Sequence, residues 1–306
     1  SVILYVYVRQ RYTNLDFHAT PNNEPLKKRW DALYLQLLGS VQTGFPIILA
    51  TIFTTLESVS VYSIYNMVIG GVSSLLSIVI TGLFASFGDV IARNQLETLQ
   101  KAYREFELVY YMLIAWVYAC SFVLIMPFVR LYTRGITDTN YDLPLIGILF
   151  VLNGLLYNIK TPQGMLVISA GLFKETRVQT TLQATIAIVF ALIFVRTWGL
   201  AGILMGATLS NIYRDIDLLF FIPKNVTKLK PSLSVQRIFS LFLSVGLSSA
   251  PFLFMDIAPQ SYLQWVLYAF VIGLYSFFVT VGINFIFDRN DLRGAIKRVS
   301  ATLCAK

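Results

Sequence analysis

The chain has 306 residues, of which 56% are apolar and only 13% charged, with a mean hydropathy of +0.67. About a quarter of the residues in a soluble domain are charged, so this composition excludes an ordinary water-solvated globule and points to lipid as the solvent. The net charge of +8 would suggest nucleic acid in a soluble protein, but here the basic residues fall in short segments between apolar runs, where they act as topology signals and imply no nucleic-acid partner.

In chain order, Ser1–Val8 is apolar but too short to cross about 30 Å of hydrocarbon, which takes roughly 20 helical residues. It lacks the charged start and cleavage site of a signal peptide. It reads as the end of a membrane helix, and the expectation is that the sequence is the C-terminal part of a longer protein. Arg9–Asp31 follows as a polar linker, with Arg9, Arg11, Lys27, Lys28 and Arg29 around the breakers Pro21, Asn22, Asn23 and Pro25. Its histidine, His18, is the only one in the chain, so no metal site is expected.

Eight apolar runs come next: Ala32–Leu56, Val59–Ile91, Phe106–Val129, Leu143–Ser169, Thr181–Val195, Leu200–Ile222, Ile238–Met255 and Tyr262–Phe287. Each is long enough to span, except that Thr181–Val195 must borrow residues from Thr176–Thr180. Backbone groups in lipid must be satisfied internally, and continuous apolar runs of this length select helices over an alternating barrel. The two cysteines, Cys120 and Cys304, fall in a span and in the basic tail, so no disulfide is implied.

Basic residues alternate between the loops. Of 24 lysines and arginines, Arg130, Arg134 and Arg196 lie in one set of loops and Lys160 and Arg214 inside spans. All others lie in the opposite set or the termini. By the positive-inside rule the linker and the C-terminal tail are cytoplasmic. Breakers also occur within spans. Gly44 and Pro46 interrupt the first full span, and Gly70, Gly71, Pro162 and Gly164 occur in later ones. Close packing through small residues, as in the pair Gly202 and Gly206, is the favoured reading for glycines. At the prolines a bend around a cavity weighs equally.

A charge at membrane depth costs about 2.5–3.5 kcal/mol on insertion scales and therefore faces protein or water. Lys160 lies in the run Tyr157-Asn158-Ile159-Lys160-Thr161-Pro162-Gln163, which reads either as a hydrated pathway, the favoured reading, or as a buried lysine satisfied by neighbouring carbonyls and Asn158. Arg214 and Asp217, three apart, can pair on one helix face, or Arg214 can meet a phosphate, whose geometry the guanidinium matches. Tyr62, Tyr65 and Asn66 share a face, either as sugar contacts or as an interfacial aromatic belt. Glu57 reads as a helix-boundary carboxylate, and Asp89 with Arg93 as a surface pair.

Several segments resemble a known family. They are Arg29-Trp30-Asp31-Ala32-Leu33, Val59-Ser60-Val61-Tyr62-Ser63-Ile64-Tyr65-Asn66, Ala85-Ser86-Phe87-Gly88-Asp89-Val90-Ile91-Ala92, Leu172-Phe173-Lys174-Glu175-Thr176, Trp198-Gly199-Leu200-Ala201-Gly202-Ile203 and Tyr213-Arg214. Together the chain resembles the oligosaccharide (O-antigen and exopolysaccharide) flippases of the multidrug/oligosaccharidyl-lipid/polysaccharide exporter superfamily. That resemblance implies an all-α integral membrane protein with a MATE-like transporter fold. Residues 1–31 would be a helix end and interlobe loop, 32–222 the second six-helix lobe, and 223–306 two additional helices with a cytoplasmic tail.

The resemblance also implies a carrier, not an enzyme, and no cofactor. It would sit in a bacterial cytoplasmic membrane among its lipids and flip polyprenyl-diphosphate-linked oligosaccharides for cell-surface polysaccharide synthesis. A coupling ion, proton or sodium, could accompany transport. Lys160 and Arg214 are the candidates for the diphosphate, and Tyr65, Asn66, Tyr157 and Asn158 for the sugars. A drug/cation antiporter of the same fold is the main rival. It is disfavoured here because deep charges are mainly basic and no acid of this part reads as unpaired at mid-span. A polysaccharide polymerase or glycosyltransferase would need catalytic carboxylates in a sizeable loop, and the longest loop carries only Asp16, Glu24 and Asp31 without metal-like spacing.

Overall fold

A computed structural model describes residues 7, 9–11, 29–255 and 257–294. The expected helix end at Ser1–Val8, most of the linker and the end of the basic tail lie outside the described residues.

The regular structure of the described residues is all helical, with α1 (Arg29–Phe53), α2 (Leu56–Thr81), α3 (Phe84–Ala92), α4 (Leu96–Tyr132), α5 (Pro144–Ile159), α6 (Thr161–Ser169), α7 (Arg177–Ile222), α8 (Pro231–Ser249) and α9 (Tyr262–Phe287). Residues 289–294 form a last helical turn. Local chemistry sets many of the boundaries. The Thr55 side chain accepts the Ser58 amide at the start of α2, and Ser261 does the same for Gln264 at the start of α9. Pro144 and Pro231 open α5 and α8, where a missing N–H costs nothing.

Taking α2 with α3 and α5 with α6, seven helical segments among the described residues are long and apolar enough to cross a membrane. One of them contains two rods. Ser210 Oγ in α7 donates to the Gln183 carbonyl at 2.9 Å, yet 27 residues of straight helix would put them about 40 Å apart. The chain reverses at Gly199, the one non-helical residue inside α7, whose φ of +52° suits glycine. Two antiparallel arms result, matching the separate runs expected at Thr181–Val195 and Leu200–Ile222. The arms touch through glycine. A Cβ on Gly202 would stand 2.3 Å from the Phe194 carbonyl oxygen, and one on Gly206 would stand 2.5 Å from the Ala191 nitrogen.

The breakers elsewhere behave differently from the packing expectation. A Cβ on Gly44, Gly70, Gly71 or Gly164 would meet open space. Pro46 does not end α1, which runs continuously through it. Pro162 does mark a break, with α5 ending at Ile159 and α6 starting at Thr161. Tyr111 Oη donates to the Ile159 carbonyl at 3.0 Å, so the broken end is satisfied from α4.

The core lies where α2, α4, α5, α6 and α7 meet, around fully buried Tyr65, Tyr110, Tyr111 and Tyr118. Such tyrosines fill apolar volume while each hydroxyl finds a partner. The outward faces of α1 and α9 carry large exposed apolar side chains, including Ile48, Ile52, Leu263 and Phe270, as lipid contact demands.

Candidate functional site

Between α1, the α5–α6 break, α6 and both arms of α7 lies a cavity of about 780 Å³. Among the described residues, its only charged wall residues are Lys160 and Arg214. The rest of its polar lining is neutral, with Gln36, Ser40, Gln42 and Thr43 on α1, Thr161 on α6, and Thr180, Gln183, Ser210 and Asn211 on α7.

Lys160 stands at the junction of α5 and α6. The break lets its side chain leave the helix surface and reach α7, where its Nζ donates to Asn211 Oδ1 at 2.5 Å. The ammonium also lies 4.9 Å from the centre of the Tyr157 ring, a cation–π contact. Asn211 is steadied in turn by Asn153, which also bonds Thr208 Oγ1 at 2.9 Å. No ion pair reaches Lys160 among the described residues.

Arg214 is buried and pairs with Asp217 at 2.6 Å, one turn along the same arm. It shares the cavity lining with Lys160. Two like charges on one wall are costly in a low-dielectric site, and an anion between them relieves the cost. The wall therefore has the chemistry of a polyanion site with one cation already part-compensated.

A carboxylate lies behind that wall. Both Asp215 oxygens are buried without a hydrogen-bond partner. The sequence reading treated the acids of this part as paired. Asp215 departs from that, because neither of its oxygens finds an ion pair, hydroxyl or amide among the described residues.

The other expected site residues do not converge. Tyr157 lines the cavity with Lys160 and Arg214. Asn158, one residue along, faces the opposite way. Its Nδ2 donates to Tyr118 Oη and its Oδ1 accepts from Tyr110 Oη, both at 2.8 Å, so its amide is consumed inside the core. Tyr65 is fully buried, stacked on Phe150, with its hydroxyl donating to the Tyr141 carbonyl at 2.8 Å. Asn66 is exposed on α2 and off the cavity wall.

A polar cluster that sequence reading missed lies outside the cavity. Arg237, counted there among the surface loop charges, is fully buried in α8 and bonds three carboxylates: Glu107 at 3.0 Å, Asp288 at 2.9 Å and Asp291 at 2.6 Å. Arg104 adds a second pair to Asp291, and Tyr103 and Ser234 donate to Glu107. The signal available was Glu107 itself, an acid inside the run Phe106–Val129. No metal-ligand cluster occurs among the described residues.

Comparison with known proteins adds no family. No protein-family model and no curated protein matches the chain. What is established is an all-helical chain with spans suited to a multi-pass membrane protein.

Proposed function

We propose that the chain forms part of a carrier that moves polyprenyl-diphosphate-linked oligosaccharides across a bacterial cytoplasmic membrane. The single observation supporting this is the cavity that holds Lys160 and Arg214 together amid neutral amides and hydroxyls. A diphosphate suits the cationic end, since a guanidinium and an ammonium together offer more donors than one phosphate oxygen pair uses. The cavity lining reaches Ala32 at the start of α1 and Thr176 just before α7, beside the basic residues Arg29 and Lys174. Under the positive-inside rule that end would face the cytoplasm, where the lipid-linked glycan would be loaded. In this reading the chain has no catalytic role, and a MATE-like arrangement of lobes would supply alternating access.

The test uses the full-length protein in liposomes with a fluorescent polyprenyl-diphosphate-linked sugar. Lys160→Gln and Arg214→Gln are each expected to slow flipping by about tenfold or more, the effect of losing one charge-assisted hydrogen bond. Wild-type rates in both variants would overturn the site.

Asp215 favours a second reading, a drug/cation antiporter. A buried carboxylate without hydrogen bonds is the kind of group that binds a proton or a cationic ligand. Efflux of a cationic dye by the same liposomes separates the two.

A further inference from the structure

Beyond the two cations, the cavity has a second chemical character. Gln183, on the first arm of α7, is only 4% exposed and lines the cavity. Its backbone carbonyl accepts from Ser210, but its side-chain amide makes no hydrogen bond among the described residues. On α1, Gln42 also lines the cavity, and its Nε2 is buried without a partner. Four residues further along α1, Pro46 has no N–H to give the Gln42 carbonyl, so this turn of α1 is short of donors as well.

Native interiors rarely leave buried amides unmatched. Gln42 Nε2, buried without a partner, and the unbonded Gln183 amide on the lining of the same cavity call for a ligand. The hydroxyls beside them are set up to accept. Thr180 Oγ1 spends its proton on the Thr176 carbonyl and Thr43 Oγ1 spends its own on the Gly39 carbonyl, leaving lone pairs free. This end of the cavity thus offers amide N–H donors, amide oxygens and hydroxyl acceptors, with no charge. That set does not suit a phosphate or an ammonium. It suits a neutral polyol, since each primary amide can donate to one hydroxyl and accept from the next.

We infer that Gln42 and Gln183 form a neutral, hydroxyl-binding subsite of the cavity, which takes the first sugar next to the diphosphate held by Lys160 and Arg214. The inference rests on the lipid-diphosphate reading above. It divides the ligand in two, with the cations taking the diphosphate and the amide pair reading the glycan.

The test is binding to the full-length protein in nanodiscs of two probes, undecaprenyl diphosphate and undecaprenyl diphosphate carrying one N-acetylglucosamine. The wild type is expected to bind the glycosylated probe more tightly. Gln42→Met and Gln183→Met keep side-chain length and remove only the amide. Each is expected to weaken the glycosylated probe by about tenfold, one hydrogen bond's worth, and to leave the bare diphosphate unchanged. Unchanged bare-probe binding also reports that the fold is intact. Equal wild-type affinity for the two probes overturns the subsite but leaves the diphosphate reading standing. An equal loss for both probes in the variants assigns the glutamines to packing and overturns it too. Binding of neither probe to the wild type overturns the lipid-diphosphate reading and, with it, the subsite.

Discussion

Arg237 donates to Glu107 across 3.0 Å with neither side chain more than 1% exposed. The pair ties α8 to α4, and the further bonds to Asp288 and Asp291 bring the end of α9 and the turn after it into the same knot. Removing one partner of a buried pair costs about 3–5 kcal/mol, because the other charge is left uncompensated. Arg237→Met strands Glu107 and Asp288 without a cation and leaves Asp291 to Arg104 alone, whereas Glu107→Gln leaves Arg237 with Asp288 and Asp291. The expected order of melting temperature in detergent is wild type, then Glu107→Gln, then Arg237→Met. A melting point of Arg237→Met equal to wild type would show that the knot does not hold α8 and α9.

The α7 hairpin gives a second stability prediction. A Cβ on Gly202 is 2.3 Å from the Phe194 carbonyl oxygen, a backbone atom that cannot swing aside. Gly202→Val must therefore push the two arms apart, and overpacking of this kind costs about 1–3 kcal/mol or more. Because both arms wall the cavity, the displacement reaches the site as well. Thermal unfolding and ligand binding are expected to fall together, and a stable Gly202→Val protein would refute the close crossing.

Much of this architecture was legible in the sequence, and the failures have a common cause. Eight hydrophobic rods were readable because lipid imposes one requirement, apolar length, on every span. The turn at Gly199 was readable because Arg196 and Trp198 interrupt the run there. Lys160 and Arg214 drew attention because charge in a span is rare. Side-chain direction was not readable. Tyr157 and Asn158 are neighbours, yet one lines the cavity and the other is locked between Tyr110 and Tyr118. A helical step of 100° separates them, and only the packing partners say which face turns inward. Gln42 and Gln183 escaped notice for another reason. A glutamine is ordinary in sequence and becomes informative only when its amide is found buried and unmatched.

The cavity can be filled without disturbing its walls. Gly164 on α6 and Gly39 on α1 both line it, and a Cβ on either meets nothing within 4 Å. Replacing a mid-helix glycine also raises helix propensity by about 0.5–1 kcal/mol. Gly164→Leu and Gly39→Leu are therefore expected to melt at or above the wild-type temperature while flipping of the lipid-linked sugar is lost. Full transport by both variants would show that the cavity is not on the substrate path.

Asp217 holds Arg214 at 2.6 Å and competes with any anion that enters. Neutralising it leaves the guanidinium buried and short of a counter-charge. Asp217→Asn is expected to tighten binding of undecaprenyl diphosphate several-fold and to make binding steeper in salt, as an extra free cation does. Weaker binding in this variant would indicate that Asp217 positions Arg214 instead of masking it.

Asp215 separates the two functional readings, because it sits behind the wall and not on it. If the cavity serves a diphosphate, the carboxylate only opposes the ligand. Asp215→Asn then removes a negative charge that competes with the ligand's, and binding of undecaprenyl diphosphate is expected to hold or rise. If the cavity serves cations, the same carboxylate is the group that binds them, and Asp215→Asn abolishes dye efflux. Because loss of a negative charge favours any anion and disfavours any cation, the two readings are separated by which ligand the wild type moves, and both are measured on one preparation. Loss of diphosphate-lipid binding in Asp215→Asn, with dye efflux present in the wild type and absent in the variant, would overturn the flippase reading in favour of the antiporter.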